Sequence, residues 1–265
     1  MVARAAVLAH GRRMGFRQAD ILELARAQGA VTVDDLAAQF GVTAQTIRRD
    51  LTELAEAGQL ERVHGGAVLP SGVANIEYEE RRRLNDAAKA AIAAACAADI
   101  PDAASVFLNI GTTTEAVAKA LMKHRGMMIF TNNLNVATLM AGAPEVEVMV
   151  TGGMLRHADG GLVGAAASRM IENFKFDIAV IGCSAIDPVD GDILDFDLSE
   201  VGVSQSILSR ARKRVLVADH SKWQRAAPAR IASLREIDVM FTDGPVPDGL
   251  AQRLRDWGTE VRVCD

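Results

Sequence analysis

Residues 43–50 read Thr-Ala-Gln-Thr-Ile-Arg-Arg-Asp, a polar cap followed by the opening turns of a helix with a basic outer face. The Thr43 hydroxyl is suited to close the helix N-terminus. Ile47, Leu51 and Leu54 recur at i, i+4 and i+7, so one stripe must face a core. The opposite face carries Ala44, Gln45, Arg48, Arg49 and Thr52. Side chains from the first turns of such a helix reach base edges in the major groove, where Arg matches guanine and Gln matches adenine. A pair of arginines is more often only a solvated helix face, so the surroundings decide between the readings.

Upstream, Thr32-Val33-Asp34-Asp35 has capping-box spacing, Leu36, Ala37 and Phe40 follow at helical intervals, and Gly41-Val42 turns the chain into Thr43. Two capped helices joined by a three-residue turn make a helix-turn-helix. An earlier amphipathic segment through Ile21, Leu22, Leu24 and Ala25, ending at Gly29, supplies a third helix. Downstream, Gly58 stops the second helix, and residues 60–63 and 67–69 flank His64-Gly65-Gly66 as a two-stranded hairpin. The unit is a winged helix-turn-helix. Its expected DNA contacts are Thr43, Gln45, Thr46, Arg48 and Arg49 on the helix, with Arg62 and His64 on the wing; Asp50 is expected to pair with a neighbouring cation, since phosphates repel a carboxylate.

Composition bounds the remainder. A DNA-binding unit of about sixty residues leaves a second core's worth of chain in a 265-residue protein. The net charge is −5, and residues 1–70 hold eight Arg and no Lys against eight acidic residues. DNA affinity must therefore come from placement and from multiplicity of subunits. Cys96, Cys183 and Cys264 are far apart and without metal-ligand spacing, as expected of buried free thiols in a reducing cytoplasm. Neither a metal nor a cofactor is expected, and no apolar run is long enough to span a membrane. Residues 1–13, ahead of the fold's start near Met14, are expected to be a non-native upstream extension or a disordered arm, the alternative being an arm whose Arg12-Arg13 enters the minor groove. The expected divisions are 1–15, a DNA-binding domain at 16–71, a linker and one long Glu/Arg/Ala-rich helix at 72–100, and an effector domain at 101–265.

After Pro101 short apolar runs at 105–109, 127–130, 146–150, 178–181, 215–218 and 239–241 alternate with helical stretches, which predicts an α/β domain with a largely parallel sheet. Ligands of such sheets bind at the carboxyl ends of the strands. The first strand runs into Gly111, Thr112, Thr113 and Thr114, whose amides and hydroxyls at a helix start suit a phosphate. Thr131-Asn132-Asn133 and Thr151-Gly152-Gly153 end the next two, with Arg156 close behind. Together they resemble a pocket for an anionic polyol, although each alone reads as turn chemistry.

The run TIRRDLTELAEAGQLERVHGGAVLPS resembles the amino-terminal signature of the DeoR family of bacterial sugar-catabolism repressors. IGTTTEAVAKAL, TNNLNVA, TGGMLRHADGGLVG, IGCSAID, LDFDLSEV and VADHSK are similar, in order, to blocks of that family's effector domain. The resemblance implies a carboxy-terminal fold similar to ribose-5-phosphate isomerase and an operator-binding repressor relieved by a phosphorylated sugar or polyol, glycerol 3-phosphate first among them. It further implies that Gly111, Thr112, Thr113 and Thr114 hold the phosphate, that Asn132, Asp187, Glu200 and Lys222 line the polyol end, and that the protein is a homo-oligomer, dimer or tetramer. The chain departs from the family pattern twice. Asn109 stands where an Asp often precedes Ile-Gly-Thr-Thr, and Gly202, Val203, Ser204 and Gln205 occupy the stretch where a Lys usually follows Glu-Val.

Two other readings are open. A sugar-phosphate isomerase would need a base such as Asp187 with Lys222 stabilising an enediolate, but the isomerase's full acidic motif is not recognisable here and a winged helix has little use in that reaction. A protein-docking module is favoured only if no DNA is bound.

Overall fold

The computed structural model describes residues 16–28, 30–57, 59–63, 65–68 and 78–265. The expected N-terminal extension, Gly29, Gly58, His64 and the hinge at 70–72 lie outside the described residues. The chain forms two compact units, Met1–Gly72 and Val73–Asp265.

In the first unit α1 (Phe16–Gln28), β1 (Ala30–Thr32), α2 (Val33–Phe40), α3 (Ala44–Glu56), β2 (Glu61–Val63) and β3 (Gly66–Val68) follow in order. The Thr32 hydroxyl accepts from the Asp35 amide at the start of α2, and Gly41 ends that helix at φ 62°, a left-handed conformation costly for any residue with a Cβ. Ile21, Leu22, Ala25, Leu36, Ile47, Leu51, Leu54 and Leu60 close over one small core. The wing has three strands in the order β1-β3-β2. The extra strand, β1, was not expected: at three residues it is too short to show an alternation.

The second unit contains α4 (Tyr78–Arg83), α5 (Asp86–Ala98), β4 (Ser105–Leu108), α6 (Thr112–Leu121), β5 (Met127–Thr131), α7 (Leu134–Met140) and β6 (Val146–Val150). A hairpin of β7 (Met154–Arg156) and β8 (Gly161–Val163) leads to α8 (Ala165–Ile171), β9 (Phe176–Ile181), β10 (Ala185–Ile186), β11 (Asp192–Asp195) and α9 (Leu198–Arg210). Then come β12 (Ala211–Val217), β13 (Ala229–Ser233), β14 (Val239–Thr242), α10 (Asp248–Trp257) and β15 (Glu260–Val263). Seven strands form a fully parallel sheet in the order β15-β14-β12-β9-β4-β5-β6. Apolar residues of α5, α6 and α7 cover one face, and those of α8, α9 and α10 cover the other. Buried on both sides, the central strands read as nearly unbroken apolar runs. On the second face Phe176 stacks edge-on against Phe107, with ring centroids 5.1 Å apart, and meets Phe130 at 4.8 Å.

The expected single helix after the linker is two helices. Asn85 breaks it at φ 53°, and α5 joins the core of the sheet domain through Ile92, Ala93, Cys96 and Ala97. The uniform helix propensity of this stretch hides a break that tertiary contacts impose.

Chain order places the switch of direction at β4. The chain passes from β4 outward through β5 and β6, then returns to β9 on the other side of β4 and continues outward to β15. A crevice forms at the carboxyl ends of adjacent strands whose connections diverge. That crevice lies between β4 and β9.

Candidate functional site

Two surfaces carry the expected site residues, one in each unit. In the first, α3 begins with Thr43, whose hydroxyl accepts from the Thr46 amide and meets the Thr46 hydroxyl at 3.0 Å. Gln45, Arg48, Arg49 and Thr52 are exposed and share a concave surface with Arg17, Thr46 and Glu53. Asp50 turns inward and accepts from Arg17 Nε at 2.6 Å. Arg49 is 81 % exposed and bridges to Glu53 one turn on, at 3.1 Å, a contact that contributes little in solvent. Arg62 Nη1 donates to the Arg48 carbonyl at 3.0 Å, so the wing arginine braces the recognition helix.

In the second unit a narrow cleft opens at the switch point, lined by residues that follow three strand ends. From β4 come Ile110, Gly111, Thr112 and Thr113; from β9 come Gly182, Cys183 and Ser184; from β12 come Val217 and Lys222. Arg81 of α4, Asp195 and Glu200 complete it. Gly111 holds φ 146° at the N-cap of α6, a backbone shape that a side chain would strain; the amides of the helix's first turn have no partner within the helix. Burial of the Lys222 ammonium, then the charge of Arg225, lower its pKa, with Asp219 opposing. Burial, then the neighbouring Asp195 carboxylate, push Glu200 up to about 8 against the pull of Arg156. Asp219 goes the other way: against burial, Lys222 and hydrogen bonds from Ser221 and Asn85 hold it down at about 2.

Several expected residues are elsewhere or otherwise engaged. Thr114 is buried, and its hydroxyl donates to backbone carbonyls of Asn109 and Gly111, each 2.7 Å away, which locks the loop. Asn132 is buried and donates to the Leu162 carbonyl; Gly152 and Gly153 precede the β7–β8 hairpin, and none of these three lines the cleft. Asp187 is not in the lining either. Its carboxylate accepts from the amides of Val189 and Asp190 in the turn between β10 and β11, which removes the Asp187–Lys222 pair that an isomerase would need. Arg156 is consumed by three carboxylates, those of Asp159, Asp197 and Glu200. It touches the cleft indirectly, through Glu200 and through Asp159, which also pairs with Arg81.

Sequence reasoning missed Arg81, Ser184 and Asp195. Ser184 donates to Asp195 Oδ2 at 2.8 Å, and Asp195 Oδ1 accepts from the amides of Phe196 and Asp197. The two departures from the family pattern meet in the core: Asn109 Nδ2 donates to Ser204 Oγ at 2.8 Å, a neutral pair. Cys183 borders the cleft and is only half-buried, and burial pushes its thiol and that of Cys96 up to about 12.

Residues 17–73 match the DeoR-like helix-turn-helix domain, and residues 84–244 match the DeoR C terminal sensor domain. The chain belongs to the DeoR family. It is 40 % identical over 248 residues to the glycerol-3-phosphate regulon repressor of Escherichia coli, covering 94 % of this chain and 98 % of that one. The repressor of the same name from Haemophilus influenzae is 40 % identical over 253 residues, covering 96 % and 98 %. The transcriptional repressor CsqR of Escherichia coli is 38 % identical over 245 residues, covering 92 % and 94 %. Ribose 5-phosphate isomerase A of Methanocaldococcus jannaschii overlaps 52 % of this chain and 54 % of its own at 13 % identity, with a TM-score of 0.38. Like its relatives, this DeoR-family chain is a DNA-binding transcriptional repressor. Among the described residues no helix is long and apolar enough to cross a membrane, and no group of three His, Cys, Asp or Glu is placed to hold a metal ion.

Proposed function

We propose that this DeoR-family repressor controls a glycerol or related polyol catabolic operon and leaves its operator when a phosphorylated polyol, glycerol 3-phosphate first among them, fills the cleft of the sensor domain. The polarity of the cleft carries the reading. Lys222, Arg81 and the amides at the start of α6 gather at one crevice with Asp195 and Glu200. Cations and a helix N-terminus suit a phosphate; carboxylates suit hydroxyls. The 40 % identity with glycerol-3-phosphate regulon repressors supports glycerol 3-phosphate as the first ester to test.

Release follows from linkage. A ligand that prefers the sensor conformation unable to place two recognition helices on one operator lowers DNA affinity by about 5–150-fold, for a coupling of about 1–3 kcal/mol. Two half-sites call for at least a dimer.

Fluorescence anisotropy at fixed salt, on DNA from upstream of the protein's own operon, tests this. Glycerol 3-phosphate is expected to release the DNA and glycerol is not. Gly111→Val, which forces a branched side chain onto φ 146° with Thr114 Oγ1 only 3.3 Å from the new Cβ, is expected to keep operator affinity and lose release. DNA binding indifferent to every ester would overturn the effector assignment.

A further inference from the structure

Arg81 occupies an unusual position for a residue of a short connecting helix. It lines the cleft with Thr112, Thr113 and Lys222, its side chain is only 18 % exposed, and its buried Nε has no hydrogen-bond partner. Its Nη2 lies 3.5 Å from Asp159 Oδ2. That carboxylate is already held on both oxygens by Arg156, Nε to Oδ1 at 2.9 Å and Nη2 to Oδ2 at 2.6 Å, and Oδ1 also accepts from the Gly161 amide. Arg81 is the looser partner and the exchangeable one. Its charge also bears unfavourably on Lys222 and Arg225, a repulsion that an anion among them relieves.

The helix that carries Arg81 is bonded to each wall of the cleft. At its start the Tyr78 hydroxyl donates to the Glu115 carboxylate, at 2.7 and 2.9 Å from the two oxygens, and accepts from Asn135 Nδ2 at 2.8 Å. Glu115 sits on α6, directly after the glycine and threonines of the cleft. At its end Lys89 Nζ donates to the carbonyls of Arg81 and Leu84, and Asn85 Nδ2 donates to Asp219 Oδ1 at 2.9 Å, three residues before Lys222. A helix of six residues has almost no stability of its own, so these bonds set where α4 lies. Tyr78 is also the first described residue after the segment that leads from the wing.

We propose that Arg81 is a ligand of the effector's phosphate, and that its exchange from Asp159 to the phosphate re-anchors α4, the element through which an occupied cleft acts on the DNA-binding unit. This rests on the reading of the cleft as a phosphate-ester site. Arg81 makes the ligand contact; Tyr78 acts as a positioning residue that fixes α4 to α6.

Calorimetric titration with glycerol 3-phosphate and with inorganic phosphate, alongside operator anisotropy, tests both parts on the full-length protein. Arg81→Ala is expected to weaken both ligands by about tenfold or more, the usual loss for a charged hydrogen bond. Arg81→Lys keeps the charge but not the fork, and intermediate affinity is expected; it also serves should the alanine variant fail to fold. Tyr78→Phe is expected to bind glycerol 3-phosphate and, without ligand, the operator within about threefold of wild type, while the ligand-driven change in operator affinity shrinks by about tenfold. Wild-type ligand affinity in both Arg81 variants would overturn the ligand assignment, and full release in Tyr78→Phe would overturn the role of α4. If the unaltered protein binds neither glycerol 3-phosphate nor phosphate, the reading of the cleft falls along with this proposal; if it binds them and Arg81→Ala does too, only this proposal falls.

Discussion

Arg48→Ala is expected to abolish operator binding at moderate salt while leaving the sensor domain's affinity for its phosphate ester unchanged. Among the described residues, Arg48 on the outer face of α3 has no carboxylate partner, whereas Arg49 beside it is bridged to Glu53 and Arg17 of α1 is committed to Asp50. A bidentate arginine–guanine contact is worth about 1–3 kcal/mol. A dimer on a two-fold operator loses it twice, about 2–6 kcal/mol, or about 30-fold at the least. Arg49→Ala is a different kind of change. Removing a phosphate contact weakens binding to all sequences alike and lowers the salt slope by about 1. Anisotropy on the operator and on base-substituted operators, at two or more salt concentrations, separates the two. Normal operator binding by Arg48→Ala would remove α3 as the reading helix.

What the sequence made legible is what short-range chemistry dictates. Thr43, the stripe of Ile47, Leu51 and Leu54, and the outward Arg48 and Arg49 are all consequences of one helix period, and the structure has each in its expected place. Six strands announced themselves as apolar runs, the five central ones because both faces of a parallel sheet are covered. The seventh strand, β15, reads Glu-Val-Arg-Val at the sheet edge; half-exposed, it lacks the unbroken apolar run that marked the others. Asn85 breaks a stretch in which almost every residue favours helix, because its amide is claimed by Asp219, 134 positions away. No local rule carries that information.

The cleft divides along the same line. Gly111, Thr112 and Thr113 were legible because they closely follow a strand whose carboxyl end had to be the binding edge, while Lys222 was named only through the family resemblance. Asp195 reaches the cleft at the end of β11, where it accepts from Ser184 beyond β9, and Arg81 reaches it through α4, ahead of the sheet in sequence, so only the tertiary fold gathers them. Asn132 and Asp187 had the right chemistry next to the right strands. They were drawn off by backbone groups that needed a partner, since a polar side chain buried beside an unsatisfied amide or carbonyl is more stable bonded to it than aimed at an empty cleft.

Arg156 was read as a ligand residue, and its actual surroundings lead to the second large effect: Arg156→Ala is expected to destabilise the sensor domain by about 3–5 kcal/mol, the cost of breaking a buried ion pair from one side. The guanidinium is 19 % exposed, and Asp159 and Glu200 are 2 % and 9 % exposed, so without it Glu200 loses its cation and Asp159 keeps only the looser Arg81, 3.5 Å away. Asp197, a third exposed, adds little. Urea unfolding followed by tryptophan fluorescence isolates the effect, because Trp223 and Trp257, the two tryptophans of the chain, both lie in the second unit; the midpoint should fall by about 2 M at the usual slope of about 2 kcal/mol/M. Glu200 gives the effect a pH signature. With its pKa raised to about 8 by burial and then by Asp195, the folded state keeps a proton that the unfolded chain has released, so this contribution is full below the ordinary carboxylate range and is lost as pH rises toward and through 8. Removing Arg156 removes the cation that holds Glu200 down, so the variant should go on losing stability above pH 8, where the parent's loss levels off. Adding Glu200→Gln to Arg156→Ala should flatten the profile and restore part of the midpoint. A loss under about 1 kcal/mol in Arg156→Ala, with a pH profile parallel to the parent's, would mean that water or a rearranged side chain already compensates these carboxylates, and that Arg156 does not hold the hairpin to α9.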